Sequence, residues 1–293
     1  MKAVALALGL TLVPVLAQTT PALAAERIAV VAAENFYGDI ARQIGGDRVA
    51  VVSIMSNPDQ DPHLFETTPG IVRQLANAQI VVLNGANYDP WMDKLLAAAP
   101  RPERTVINAA QLTGRKAGDN PHLWYDPATM PAVATALADA FTGADRAHAS
   151  EYAARLKATL ASLERIAQRV AQVKAKHSGT VVTATEPVFG LMTDAVGLTM
   201  RNQRFQLAMM NDTEPSARDI AAFENDLKER KVRALIYNSQ VSGSLTRRLR
   251  DIAARAKVPV IGVTETMPAN LSFQDWVLGE LDILDKALSG PNS

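Results

Sequence analysis

The sequence contains no cysteine among its 293 residues. This absence excludes disulfide bonds, which an exported protein could otherwise form, and it excludes catalysis by a thiol. It also leaves no cysteine that could carry a lipid, so we expect a protein without a lipid anchor. Histidine is scarce as well, with four in the chain, and each of them is therefore informative.

An excess of charge of either sign is also missing. Lysine plus arginine number 30 and aspartate plus glutamate number 30, so the formal net charge is zero. Proteins that bind nucleic acids usually carry a basic stripe, and we therefore expect no nucleic-acid partner. The sequence also lacks the glycine-rich phosphate-binding loop, the Gly-x-Ser-x-Gly elbow and the His-Glu-x-x-His helix, which mark common enzyme classes.

The first 24 residues have the pattern of a secretory signal peptide. Lys2 provides the positive charge, an apolar run follows over residues 3–17, and Ala22-Leu23-Ala24 has the small-x-small pattern of a cleavage site. The alternative is a membrane anchor, but the run contains Pro14 and is shorter than the ~20 residues that a spanning helix needs. We therefore expect cleavage near Ala24 and a soluble protein in the periplasm.

The rest of the chain alternates between segments typical of strands and segments typical of helices. This alternation favours parallel sheets covered by helices. The apolar runs of strand length lie at 27–32, 49–54, 79–84, 105–107, 179–184, 233–237 and 258–263. We expect an α/β fold of two lobes, each a mainly parallel sheet flanked by helices.

A nearly unbroken helical stretch separates the two groups of strands. Its second part, at about 147–176, would extend ~45 Å at the rise of an α-helix. We expect this part to be a rigid backbone helix that links an N-terminal lobe at 25–146 to a C-terminal lobe at 177–293. The alternative is an ordinary amphipathic core helix with a kink.

Two of the four histidines follow a proline inside short acidic segments. His63 lies in Asp61-Pro62-His63-Leu64-Phe65-Glu66, and His122 lies in Asn120-Pro121-His122-Leu123-Trp124-Tyr125-Asp126. Neutral imidazole is the commonest side-chain ligand of transition metals, and proline stiffens the loop that presents it. The pair predicts a preformed divalent-metal site, although each could instead be a loop histidine bonded to backbone. We interpret His148 and His177 as surface residues.

Two glutamates follow predicted strands of the second lobe. Glu186 comes after Val181-Val182-Thr183, and Glu265 comes after the strand that ends at Val263. Ligands of open α/β sheets lie at the carboxyl ends of strands, so all four candidates would meet in the cleft between the lobes. Glu186 could instead be a carboxylate stabilised at a helix N-terminus, and Glu265 could be a solvated loop acid.

The chemistry of this candidate set favours binding over catalysis. Two imidazoles and two carboxylates suit Zn²⁺, Mn²⁺ or Fe²⁺ better than Ca²⁺ or Mg²⁺. Four protein ligands leave little room for a reactive water, whereas catalytic zinc usually keeps one position open.

Several motifs resemble the metal-specific solute-binding proteins of bacterial ABC transporters, which include zinc and manganese receptors. They are the helix and turn at 36–51, the segments around His63 and His122, and Glu214-Pro215-Ser216. The resemblance implies two α/β lobes joined by one long helix, with a single divalent ion, Zn²⁺ or Mn²⁺, held between them by His63, His122, Glu186 and Glu265. It also implies a monomer that delivers the ion to a membrane permease with a cytoplasmic ATPase.

The sequence departs from the zinc-type pattern of that family at three places. Glu186 occupies a position where many zinc-type relatives have histidine and manganese-type relatives have glutamate; Phe189 and Gly190 fix the register. Glu265 replaces the usual aspartate and is one methylene longer. The segment 112–119 is short and contains no histidine, unlike the histidine-rich loop of some zinc receptors.

The function predicted from the sequence is a periplasmic metal receptor that is not an enzyme. One alternative is a metal-dependent hydrolase in the same cleft, with Asp61 or Glu66 as general base. Another is a receptor for a metal chelate or a small organic ligand.

Overall fold

The computed structural model describes residues 27–57, 65, 68–241 and 243–290. The strands are β1 (Ile28–Glu34), β2 (Val49–Met55), β3 (Ile80–Leu83), β4 (Thr105–Asn108), β5 (Val181–Ala184), β6 (Thr199–Arg201), β7 (Leu235–Asn238) and β8 (Val260–Val263). The helices are α1 (Asn35–Gly45), α2 (Pro69–Asn77), α3 (Pro90–Ala98), α4 (Ala109–Leu112), α5 (Thr129–Ala144), α6 (Ala149–His177), α7 (Gly190–Val196), α8 (Gln203–Met210), α9 (Ala217–Lys228), α10 (Ser244–Arg255) and α11 (Phe273–Ser289).

The strands form two four-stranded sheets with the same topology. The order is β2-β1-β3-β4 in the first sheet and β6-β5-β7-β8 in the second, and every pairing is parallel. In each sheet the chain reverses its direction of travel between the two central strands. Such a switch point opens a crevice at the carboxyl ends of those strands, so each lobe presents one edge suited to a ligand.

Helices cover both faces of each sheet, as the apolar strands require. In β1, Val30 and Ala32 face the core shared with α1 and α5, whereas Val31 and Ala33 face the cluster beneath α2 and α3. In the second sheet, Leu235 packs toward α9 and α10 on one face. The α/β fold with two parallel sheets predicted from the sequence is confirmed.

The long helix α6 both connects the two sheets and belongs to the core. It has 29 residues, which corresponds to about 44 Å at helical rise. Its buried positions recur at helical spacing along one stripe: Tyr152, Thr159, Leu163, Ile166, Val170 and Val173. It packs against α1 and α5 of the first half and α7 and α11 of the second. The predicted long helix that links the two lobes is therefore confirmed, and one stripe of it also lies in the core.

Three short elements were not predicted from the sequence. They are α4, β6 and α8. The strand β6 has three residues at the edge of its sheet, two of them exposed, so it lacks the continuous apolar run of a buried strand. Asp61, His63 and Glu66 lie outside the described residues. Over the part of the chain that is described, we find no helix with the length and apolarity needed to cross a membrane.

We predict that Ser272→Ala destabilises the protein by about 1 kcal/mol, because Ser272 caps α11. Its Oγ accepts a hydrogen bond of 3.1 Å from the backbone N–H of Asp275. Urea unfolding of the metal-free protein measures the loss. Ser244→Ala is the matched control, since Ser244 is an exposed serine inside the first turn of α10 and is not its cap. An equal loss in the two variants would contradict the assignment.

Candidate metal centre

His122 is buried and its imidazole is oriented by a neighbouring asparagine. Asn120 Oδ1 lies 2.7 Å from Nδ1 of the ring and also accepts the backbone N–H of His122 at 3.1 Å. An amide oxygen can only accept, so Nδ1 carries a proton, and in the neutral imidazole Nε2 is then the nitrogen with the lone pair. Such a contact from the outer side of the ring is typical of histidines that bind metals.

The loop of His122 is fixed by its backbone as well. Asn84, which follows β3, donates from Nδ2 to the carbonyl of Pro121 at 2.8 Å. Tyr37 in turn donates its hydroxyl to Asn84 Oδ1 at 2.7 Å. The first lobe therefore holds its histidine rigidly at the carboxyl edge of the sheet.

The two glutamates of the second lobe lie close to one another and are joined by an asparagine. Asn238 ends β7, and its Nδ2 donates to Glu186 Oε2 at 3.1 Å and to Glu265 Oε1 at 2.6 Å. The side chains are buried, with 6% exposure for Glu186 and 1% for Glu265. Tyr88 of the first lobe donates its hydroxyl to Glu265 Oε2 at 3.0 Å.

Glu265 and His122 face each other across the two lobes. Their nearest atoms, Oε2 and Nε2, are 3.6 Å apart, and both residues are 1% exposed. Nε2 is a buried polar atom with no hydrogen-bond partner among the residues that the structure describes. Two ligands of a tetrahedral zinc ion, each about 2.0–2.2 Å from it, are separated by about 3.4 Å. The gap therefore fits an ion bound by both atoms.

The structure thus brings together three of the four predicted ligands. His122 and Glu265 are in direct proximity, and Glu186 joins them through Asn238. His63 lies outside the described residues. Within those residues no three histidine, cysteine, aspartate or glutamate side chains are arranged to hold an ion by themselves.

The loop that carries Glu265 is held from both lobes. Within the second lobe, Gln240 Oε1 accepts the backbone N–H of Thr266 at 3.0 Å. From the first lobe, Asn35 pairs with the backbone of Met267, donating to its carbonyl at 2.7 Å and accepting its N–H at 3.1 Å. Tyr125 donates to the carbonyl of Thr264 at 2.7 Å. The position of Glu265 therefore depends on the contact between the lobes.

A second contact between the lobes lies beside Glu186. Asn120 Nδ2 donates to the carbonyl of Pro187 at 2.8 Å. A Cβ atom on Gly190 would lie 2.7 Å from the same Nδ2, so any other residue at this position would displace the amide of Asn120. One asparagine therefore orients His122 with its oxygen and docks the Glu186 segment with its nitrogen.

The surroundings of this centre are rich in buried carboxyls. Glu34 ends β1 at 2% exposure, and neither of its side-chain oxygens has a hydrogen-bond partner among the described residues. Burial, and then the charge of Asp89, raises the pKa of Glu34 well above its usual value. Burial also raises the pKa of Asp89 to about 6, against the opposing effect of the N–H groups of Asn84 and Gly85. No lysine or arginine in the described part of the chain is buried.

Sequence reasoning missed the neutral residues that organise this centre. They are Asn35, Asn84, Tyr88, Asn120, Asn238 and Gln240. Asn238 and Asn84 occupy equivalent places, at or just after the end of the third strand of each sheet, and polar residues at such ends are the one signal that could have indicated them.

The fold and the centre together define a class of protein. Two parallel-sheet lobes with candidate ligand residues at facing edges match the metal-binding solute-binding proteins of ABC transporters, which are not enzymes. Residues 30–287 match the model of the family described as ZnuA, zinc-uptake complex component A, periplasmic, and the chain belongs to this family.

Individual relatives agree with this membership. The chain is 27% identical over 245 residues to the zinc-binding protein TroA of Treponema pallidum (strain Nichols), which is 80% of this chain and 77% of that protein. It is 24% identical over 227 residues to the manganese-binding lipoprotein MntA of Bacillus subtilis (strain 168), covering 74% and 72%. The solved structure of TroA from Treponema pallidum has the same fold, with a TM-score of 0.77 at 22% identity over 90% of this chain and all of that one.

A buried carboxyl beneath the Glu265 loop predicts a pH-dependent stability. Glu280 Oε1 accepts from Trp276 Nε1 at 3.0 Å, and burial raises the pKa of Glu280 from 4.5 to about 8. Between these values the folded protein binds the proton more tightly than the unfolded chain. The contribution of Glu280 to the unfolding free energy therefore falls as pH rises, by up to about 1.4 kcal/mol per pH unit.

We predict that Glu280→Gln removes this contribution to the pH dependence of the unfolding free energy. The variant therefore gains stability relative to the wild type as pH rises from 5 to 9. Urea unfolding of metal-free protein at several pH values measures the difference. Glu164→Gln, an exposed glutamate on α6, is the control and should leave the slope unchanged. A constant difference between wild type and Glu280→Gln across this range would contradict the prediction.

Proposed function

We propose that this protein is a periplasmic receptor that captures one divalent transition-metal ion, Zn²⁺ or Mn²⁺, in the cleft between its lobes. His63, His122, Glu186 and Glu265 are the proposed ligands. The ion is cargo, and no bond of a substrate is made or broken.

The observation that carries this proposal is the pair of His122 and Glu265. Among the described residues, the buried imidazole nitrogen has no hydrogen-bond partner, and it lies 3.6 Å from a buried carboxylate oxygen of the other lobe. A cation between them would satisfy the nitrogen lone pair and the negative charge together. The described residues do not contain three such ligands arranged around one ion. The proposal therefore needs His63, which lies outside the described residues.

The proposed role includes delivery of the ion to an ABC permease in the membrane, driven by a cytoplasmic ATPase. The protein would reach the periplasm through residues 1–24, with cleavage near Ala24, and would act as a monomer. Family membership supports this role, and the relatives include proteins named for manganese binding and for ABC transport of iron. The domain limits proposed are 25–146, 147–176 and 177–293.

We predict that His63→Ala combined with His122→Ala abolishes stoichiometric metal binding, because the two nitrogen ligands are lost. Isothermal titration calorimetry of the mature protein with Zn²⁺ and with Mn²⁺ measures this. The chain offers a matched control in its two other histidines, His148 and His177, which lie beside Asp145 and Asp285. Replacing both by Ala should leave the stoichiometry at one ion.

Unchanged high affinity in the His63 and His122 double variant would overturn the ligand assignment. The absence of stoichiometric binding in the wild type would overturn the receptor itself. Native mass spectrometry of protein taken from its own periplasm separates a bare ion from a chelate. Elemental analysis of the same sample identifies the metal, which affinity in vitro cannot do because Zn²⁺ outranks Mn²⁺ at most sites.

A further inference from the structure

Asn35, the first residue of α1, binds the loop of the second lobe that carries Glu265, which spans residues 264–272 between β8 and α11. Its Nδ2 donates to the carbonyl of Met267 at 2.7 Å, and its Oδ1 accepts the N–H of Met267 at 3.1 Å. Asn35 is 7% exposed and Met267 is 6% exposed. One buried side chain of the first lobe therefore satisfies both backbone polar groups of a buried residue of the second, groups that are costly to bury without a partner.

The pairing lies close to Glu265 along the chain. Met267 comes two residues after Glu265, and two residues span at most ~7 Å of extended backbone. From its own lobe, the segment is held by Gln240, whose Oε1 accepts the N–H of Thr266 at 3.0 Å. The backbone next to Glu265 is therefore fixed at Thr266 by the second lobe and at Met267 by the first.

The same face of α1 makes two more contacts with the second lobe, both at α11. Asp39 Oδ2 accepts the N–H of Phe273, the first residue of α11, at 2.9 Å. The amides of Gln43 and Gln274 exchange two hydrogen bonds, at 2.9 and 2.8 Å. Asn35, Asp39 and Gln43 follow one another at intervals of four residues, which places them on one face of the helix. Asn35 is the member of this row that binds the loop.

Apolar packing does not replace the pairing of Asn35 at this place. An open cavity of about 460 Å³ lies between α1 and the loop, lined by Asn35 and Asp39 on one side and by residues 267–271 on the other. Leu271 of the loop is 43% exposed. The loop therefore stands away from α1 after Met267, and the two hydrogen bonds of Asn35 carry the contact.

We propose that Asn35 is a positioning residue that fixes the place of Glu265 from the opposite lobe and so slows the loss of a bound ion. This inference rests on the proposed metal-binding function and adds to it a residue outside the ligand set. Asn35 itself does not touch the ion. It keeps the backbone that carries Glu265 where the carboxylate lies 3.6 Å from His122.

A double-mutant cycle between Asn35 and Glu265 tests this role. Competition with a chelator gives the dissociation constant for Zn²⁺ in wild type, Asn35→Ala, Glu265→Gln and the double variant. Asn35→Ala is expected to weaken binding about tenfold, the order expected for the loss of two neutral hydrogen bonds, with most of the change in the rate of ion release. In the Glu265→Gln background the same substitution should weaken binding by no more than about twofold, because no carboxylate is left to position.

The cycle separates positioning from a merely structural role. A structural role would weaken binding by the same factor in both backgrounds, and that result would overturn the inference, as would unchanged affinity in Asn35→Ala. Asn35→Ser, checked for folding by circular dichroism, is the second variant. Its single short hydroxyl cannot make both bonds to Met267, so it should weaken binding in the same direction.

Gln43→Ala is the matched control, since Gln43 also lies on α1 and also forms two hydrogen bonds with the second lobe, but with α11 instead of the loop. It should leave the affinity for Zn²⁺ within about twofold of wild type. An equal loss in Gln43→Ala and Asn35→Ala would show that α1 only clamps the lobes together, so the positioning role would be wrong and the receptor function would stand. If wild type binds no ion, both are overturned.

Discussion

Two carboxylates buried at the junction of the lobes are the constraint on which the rest of the structure depends. Glu186 and Glu265 are almost inaccessible to solvent, and no described lysine or arginine is buried to offset them. Transfer of an ionised carboxylate out of water is costly unless charge and hydrogen bonds compensate it. The amide of Asn238 and the hydroxyl of Tyr88 supply hydrogen bonds, but a positive charge has to come from elsewhere. This imbalance supports the proposal that the centre binds a cation, which would supply the missing positive charge.

The lobes meet around these carboxylates through a well-packed interface. The side chains around His122 form a buried aromatic group in which Trp124 lies 4.7 Å from Phe36 and 4.9 Å from Tyr88, measured between ring centroids. Tyr125 continues the group to Phe189 of the second lobe at 4.8 Å. The hydrophobic core therefore runs without a break from one lobe to the other. It excludes water from the centre, and a low dielectric strengthens every electrostatic interaction there.

The sequence predicted the sheets and the positions of the candidate residues at strand ends, because both follow from local patterns. Buried parallel strands are apolar runs, and residues after them meet at one edge, so the locations of Glu186 and Glu265 at the ends of β5 and β8 could be predicted. That they bind metal stays a prediction. Asn238 also lies at a strand end, but an asparagine there resembles any turn residue, so this one signal does not identify its role. Its importance depends on two glutamates, 52 and 27 residues away in the chain, that converge on one amide.

Asn84 and Asn238 show how one topology produces two different halves of the centre. Both lie at the carboxyl end of the third strand of a sheet with the same strand order. Asn84 donates to the backbone carbonyl of Pro121 and so fixes the loop that presents an imidazole. Asn238 donates instead to the side chains of the two acids. The imidazole of His122 is also oriented directly, because Asn120 Oδ1 lies 2.7 Å from its Nδ1. The first lobe therefore holds its candidate ligand through the backbone of the loop and through one ring contact, whereas the second lobe holds its two candidate ligands at the carboxylates themselves.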